Sequence, residues 1–313
     1  MIESCTIWIV KKNKWYYTVY IVMFENNCNS PLNNIFSKRK FLSFIDNKNQ
    51  NFFCTVIKRY VANPENKTNQ QLISEIYSIV SEKYKNEYFY KNTILNYLLC
   101  ELHDYEKTIA FSEIPIGNAI ADLVLLNGKA NVYEIKTSLD TLSRLKNQIE
   151  NYYKAFDNVS VITSKKYIDK VDVVVGCDCI GIFELTEDNQ INTIREPKSN
   201  KNFLDKNVMF SVLRQKEQVQ ILNDCDIVVN NLTDFNRYQI VKEAFLSVDI
   251  DKLYNSYIKI LKKRQKIEKE AYLQMPDYIK SLVYFSNFNN VQIKKLNIFL
   301  EEKYKGDLCT IHT

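Results

Sequence analysis

The chain has 313 residues, 46% hydrophobic and 25% charged, with 17 Phe, 21 Tyr and 2 Trp. That is enough apolar surface for one large domain or two modest ones, and it excludes a fibrous or disordered chain. Five glycines, no two closer than Gly176 and Gly181, leave no Gly-rich phosphate loop, and two histidines (His103, His312) are too few for a His-rich metal site.

Residues 1–35 read as an N-terminal extension, in which residues 7–10 and 15–24 either pair as two strands or have no fold of their own. Residues 36–200 read as an α/β domain. It opens with a helix that Asn69 caps and a second over residues 88–102. Strand-like segments follow at 109–116, 119–126, 130–136, 159–163, 171–175 and 180–185, with one helix over 140–156 between the third and fourth. Three consecutive strands form a meander and the helix crosses over, which gives a mixed β-sheet flanked by helices. Residues 201–313 read as an all-helical C-terminal region, with helices over 203–222, 235–245, 250–272 and 291–304. The domain over 36–200 holds 21 Lys+Arg and 21 Asp+Glu, whereas 201–313 holds 18 and 14, so the net charge of +5 sits mostly in the helical region.

Eight cysteines at irregular spacing, none in a Cys-x-x-Cys pair, read as buried free thiols of a reducing compartment. No apolar run reaches the ~18–20 residues of a membrane span. A cytoplasmic location is expected.

The informative segment is Ala121–Lys136. Asn127-Gly128 is a strong hairpin signal, so the apolar runs on either side should pair. With Asn127-Gly128-Lys129 as the loop, Leu126 faces Ala130 and Asp122 falls opposite Glu134, Cβ atoms roughly 5 Å apart. Lys136 then points to the same face as Glu134. Two like charges across buried strands destabilise unless a cation lies between them. Mg²⁺ takes one or two carboxylates plus waters and phosphate, and a neighbouring lysine can act on the attacking water. An ion pair of Lys136 with the two acids is the plainer alternative.

An acid on a strand, a hairpin, then Glu134-Ile135-Lys136, with a Glu-bearing helix before and a crossover helix after, resembles the PD-(D/E)XK (restriction-endonuclease-like) nuclease superfamily over residues 59–167. The nearest pattern is a bacterial subfamily carrying Asn86-Glu87-Tyr88, Ser112-Glu113, Gly117-Asn118, Ala121-Asp122 and Tyr133-Glu134-Ile135-Lys136-Thr137. The superfamily's proline before the first acid is replaced here by Ala121. The resemblance implies that Asp122, Glu134 and the Ile135 carbonyl bind Mg²⁺ or Mn²⁺, that Lys136 serves the water, and that Glu87 assists. Glu113 is either a further site acid or a strand-end ion pair. On the crossover helix Arg144, Gln148 and Tyr152 form one stripe, and Gln-x-x-x-Tyr is similar to the motif of RecB-like nucleases, where both side chains approach the active site or the nucleic acid. Asp140 would cap that helix.

In the tail, Lys259, Lys262, Lys263, Arg264, Lys266 and Lys269 read as one helical run, either a phosphate-contacting face (Lys262, Lys263 and Arg264 above all) or an ordinary solvated one. The expected function is a metal-dependent endonuclease acting on DNA in defence, repair or a mobile element. A homodimer and a protein partner on the C-terminal helices are further expectations, with no membrane association. A non-catalytic nucleic-acid or protein binding module on the same fold, and an RNA-cleaving toxin, stay open.

Overall fold

The computed structural model describes residues 8–12, 15–19, 30–46, 50–102, 105–137, 140–230, 232–264 and 268–306. His103, His312 and Lys266 lie outside them. A two-stranded antiparallel ribbon, β1 (Trp8–Lys12) and β2 (Trp15–Val19), precedes helices α1 (Ser30–Ile35), α2 (Lys38–Ile45), α3 (Gln50–Tyr60), α4 (Asn69–Ile79) and α5 (Glu87–Asn96). Strands β3 (Ile109–Ile116), β4 (Ala119–Asn127) and β5 (Lys129–Lys136) lead into the crossover helix α6 (Leu145–Tyr152), then β6 (Asn158–Thr163), α7 (Ile168–Val175), β7 (Gly181–Leu185) and β8 (Ile191–Arg195). The rest is helical: α8 (Lys206–Val212), α9 (Gln215–Asp224), α10 (Arg237–Ser247), α11 (Ile250–Leu261), α12 (Lys269–Leu273), α13 (Lys280–Ser286) and α14 (Asn290–Glu301).

The six strands β3 to β8 lie in the sheet in the order in which they occur in the chain. The β3–β4, β4–β5 and β7–β8 pairs are antiparallel, and β5–β6 and β6–β7 are parallel. The fold is therefore α/β, a mixed sheet flanked by helices and followed by a helical region. Side chains alternate along each strand, so the sheet feeds two cores. Leu123, Leu125, Tyr133 and Ile135 face one core together with α1–α5 and α12–α14. Val124, Leu126, Ala130 and Val132 face the other, together with α6–α11. The helices after residue 200 are thus shared between the two sheet faces and do not share one core of their own.

Several local expectations are corrected. Residues 171–175, rich in β-branched side chains, are the end of α7, where only Val171 is buried and Val173 is 82% exposed. Gly176 ends that helix in a left-handed conformation. An additional strand, β8, pairs with β7; four of its five residues are not buried, so it gives no alternation signal. Thr68, rather than Asn69, caps α4 through a reciprocal pair with Gln71. The expected helix over 203–222 breaks at Arg214, and that over 250–272 is two helices, so the basic run straddles the end of α11 and the start of α12. Cys225 is a buried free thiol, whereas Cys177 and Cys179 are joined by a disulfide across a tight loop. Among the described residues no helix is long and apolar enough to cross a membrane.

Candidate active site

The β4–β5 register follows the Asn-Gly turn: Asn127 pairs with Lys129, Leu126 with Ala130, and Leu123 with Tyr133. Gly128 takes a positive φ of 70° at the tip, which a glycine adopts without strain. The next step in the same register is Asp122 opposite Glu134, and there the ladder opens. The Ile135 N–H, lacking a β4 backbone partner, donates to Asp122 Oδ2 at 2.8 Å. On the other side of β4, Ser112 pairs with Leu123 and Ile114 with Ala121, but Glu113, opposite Asp122, sits at φ 56°. Asp122 and Glu113 thus sit where the strand pairing is interrupted, and at Glu113 the left-handed backbone of a non-glycine residue is strained.

Glu134 is 1% exposed and Lys136 6%. Lys136 Nζ lies 2.6 Å from Glu134 Oε1 and donates to Gln148 Oε1 at 3.0 Å. Gln148 Nε2 donates to the same Glu134 oxygen at 2.6 Å, and the Tyr152 hydroxyl donates to Glu134 Oε2 at 2.5 Å. Burial, then the neighbouring Glu134, push the Tyr152 hydroxyl well above the ordinary tyrosine range, so it remains a donor. The crossover helix is set in place by the β3–β4 turn. Asn118 N donates to Asn151 Oδ1 at 3.2 Å, and a Cβ on Gly117 would come within 2.4 Å of the same oxygen.

These side chains border a cleft of about 550 Å³, lined by five acids (Glu87, Glu113, Asp122, Glu134, Asp140) against three bases (Lys91, Lys136, Arg144), with Ile135 and Gln148 also on its wall. Eight candidate site residues, namely Glu87, Glu113, Asp122, Glu134, Ile135, Lys136, Arg144 and Gln148, therefore share one cavity, and Tyr152 reaches it through Glu134. Asp122 carries the clearest electrostatic signature. Burial, then the charge of Glu134, raise its carboxyl to about 7, against the opposing pull of the Ile135 N–H and Lys91.

Lys91 was not singled out from the sequence. It is buried between Glu87, at 2.6 Å, and Glu113, at 3.1 Å. Burial works against its charge, but Glu87, Glu113 and Asp122 outweigh that and hold its pKa above the ordinary lysine value. The Glu87–Lys91 spacing of four on a helix was the available signal. Asp140 is corrected: α6 starts at Leu145, and the Asp140 carboxylate instead accepts from the Thr137 N–H at 2.8 Å and hydroxyl at 2.7 Å, bracing the segment after β5. Arg144 is at the N-terminal boundary of α6, on the cleft wall.

The basic tail residues are elsewhere. Arg264 is not available to nucleic acid. It is nearly buried, forks onto both oxygens of Glu217 at 2.8 Å, donates to the Val212 carbonyl and lies over the Phe111 ring. Lys262 and Lys263 follow the end of α11 and line a second cavity at the hairpin tip, with Gly128 and Lys129.

Among the described residues no three His, Cys, Asp or Glu side chains come together as a metal-holding group. A hard divalent ion needs less than that, since Mg²⁺ uses one or two carboxylates and completes its shell with waters and phosphate. Two facing carboxylates, one raised to about 7 by burial and by the charge of the other, in a cleft of about 550 Å³ with an excess of acid, fit such an ion.

A curated relative, Protein cII of Enterobacteria phage P4, is 27% identical over 113 residues, which is 36% of this chain and 42% of the relative, so the match spans less than half the relative's length. No solved structure matches the chain. The family model for bacteriophage P4 protein cII matches residues 80–298, a stretch that holds the whole six-stranded sheet and every acid and base of the cleft. The chain belongs to the bacteriophage P4 protein cII family.

Proposed function

We propose that this protein is a Mg²⁺- or Mn²⁺-dependent nuclease of the PD-(D/E)XK type that hydrolyses DNA phosphodiester bonds at the β4–β5 cleft. The observation that carries this reading is the convergence of Asp122, Glu134 and Lys136, from one hairpin, with Gln148 from the crossover helix in a cleft richer in acid than in base. A bound divalent ion would supply Lewis acidity at a phosphoryl oxygen and acidify a water.

The chain's own residues have separable tasks in this reading. Asp122 is held through Oδ2 by the Ile135 N–H, which leaves Oδ1 for a cation. Gln148 and Tyr152 fix the plane of the Glu134 carboxylate. Lys136, beside that carboxylate, orients the attacking water or offsets charge gathering on the phosphoryl group. Arg144, exposed on the cleft wall, suits a phosphate, because guanidinium forks onto oxygen pairs. Glu87 and Glu113, tied together by Lys91, form a second acidic group on the same wall. The occurrence of a family member in a bacteriophage suits a role on a mobile element. Two copies related by two-fold symmetry would suit cleavage of both antiparallel strands.

One observation favours a second reading, a non-catalytic nucleic-acid binding module: both Glu134 oxygens already accept from protein donors. The two separate by experiment. Supercoiled plasmid, single-stranded DNA and RNA are incubated with wild type, Glu134→Ala and Lys136→Ala in Mg²⁺, Mn²⁺ or EDTA. Metal-dependent cleavage of DNA by wild type alone supports the nuclease, and cleavage of RNA alone supports the toxin reading. Absence of cleavage, together with no heat on titrating Mg²⁺ into wild type, leaves the binding module.

A further inference from the structure

The hairpin that carries Asp122 and Glu134 at one end carries a lysine cluster at its other end. Lys129 at the tip, Lys201 before α8, and Lys259, Lys262 and Lys263 at the end of α11 line a cavity of about 480 Å³. Its one acid, Asp157, is already engaged, accepting from the Tyr254 hydroxyl at 2.6 Å, the Ser199 hydroxyl at 2.7 Å and the Asn158 amide at 2.9 Å. Lys201 and Lys259 each make one loose ion pair, with Asp251 at 3.7 Å and Asp224 at 3.8 Å. No acid forms an ion pair with Lys129, Lys262 or Lys263 among the described residues. The cavity is open as well: a Cβ on Gly128 would meet nothing within 4 Å.

The ordinary explanation of lysines after a helix is that they offset the negative end of its dipole. It covers Lys262 and Lys263. It does not cover Lys129 or Lys201, which come from two other parts of the chain and meet at the same cavity. Five lysines from three segments, three of them without an ion pair among the described residues and two with a loose one, repel one another, and the arrangement calls for an anion. The chemistry of that anion follows from the donors. No arginine fork contributes to cradling a single phosphate group; flexible point charges spread across a groove suit a row of phosphates.

We propose that this cavity is a binding site for the phosphodiester backbone of a nucleic acid, separate from the Asp122–Glu134 cleft. Gly128 lies six positions along the hairpin from Asp122, a distance of about 20 Å at strand spacing. The site needs no metal and no chemistry at the cleft, so it stands or falls independently of the nuclease reading.

The test is anisotropy of labelled duplex DNA and duplex RNA in EDTA across a salt series. Wild type is compared with Lys129→Glu/Lys263→Glu, and with Lys294→Glu/Lys303→Glu, which makes the same charge change at exposed positions on or just after α14. The cavity variant is expected to weaken binding at least tenfold and to lower the slope of log affinity against log salt by about two for DNA, near one per phosphate contact. The control pair should change affinity less than twofold. Loss in the DNA arm, the RNA arm or both supports the site and identifies its source. Equal losses in both double variants, or no loss in the cavity variant, overturn it. Wild type that binds through this cavity but cuts nothing in Mg²⁺ would keep this site and remove the nuclease.

Discussion

Glu217 with Arg264, and Glu134 with Lys136, are both ion pairs held almost out of water, yet their surroundings differ. Arg264 meets Glu217 with two parallel bonds of 2.8 Å, its remaining reach goes to the Val212 carbonyl, and Glu217 also accepts the Arg214 N–H that opens α9. Charge is balanced, and the pair ties α9 to the segment after α11. The Glu134–Lys136 pair is also short, at 2.6 Å, but stands beside a second carboxylate, Asp122, whose proton burial and the Glu134 charge make hard to lose. A balanced buried pair is closed to the outside; an unbalanced one has a reason to admit a cation. Position of a charged residue in the core is therefore weak evidence of function, and the sign of the surrounding charge is the better guide.

The sharpest way to test this contrast is deletion of one partner from each pair. Lys136→Ala or Glu134→Ala should reduce metal-dependent cleavage by a factor on the order of 10²–10⁴, read from initial rates on plasmid. Arg264→Ala should leave an uncompensated carboxylate and lower unfolding free energy by about 3–5 kcal/mol in urea titration. An Arg264→Ala protein as stable as wild type would mean that the pair is not structural.

Acid and base then act on the two regions with opposite sign. Asp122 has a folded-state carboxyl near 7, raised from 3.8, so the folded state holds a proton that the unfolded chain releases. Its contribution to stability is full below the ordinary carboxylate range and declines as pH rises toward 7, by on the order of a few kcal/mol in metal-free protein. Asp122→Asn should flatten that decline, and Mg²⁺ should raise the melting temperature of wild type more at pH 8 than at pH 5. For Glu217, burial raises the carboxyl, but Arg264 and the Arg214 N–H outweigh it and hold it below its ordinary value. That contribution is present above the ordinary range and is lost as pH falls through it; Glu217→Gln should remove this acid-side loss. The smallest effect is expected at Glu113, where φ is 56°. Glu113→Gly relieves the backbone while removing the contact with Lys91, and unfolding free energy should change by about 1 kcal/mol or less.

The hairpin register was legible because a two-residue signal, Asn127-Gly128, sets the pairing of every residue on both strands, Asp122 and Glu134 included. Residues 171–175 misled because β-branched side chains favour strands only where a sheet has room for them, and β6 is already flanked by β5 and β7. β8 left no trace because its exposed residues do not alternate. Arg264 sits in a run of cations, and nothing in the order of those residues tells which one turns inward to meet Glu217, 47 positions away. Lys91 could be placed on a helix with Glu87, but its bond to Glu113 depends on how α5 lies against β3.

The sharing of the last helices between the two sheet faces has a consequence for how the chain is made. During synthesis, β3 to β8 emerge before either set of late helices exists. Leu123, Leu125, Tyr133 and Ile135 then wait for α12–α14, which leave the ribosome well after the sheet, before their face is fully covered. Until then a hydrophobic sheet face is left partly open on the nascent chain, the kind of surface that aggregates or recruits chaperones. A stalled or prematurely terminated product ending near residue 264 would therefore retain the cleft residues and their hairpin in sequence, yet present that face uncovered.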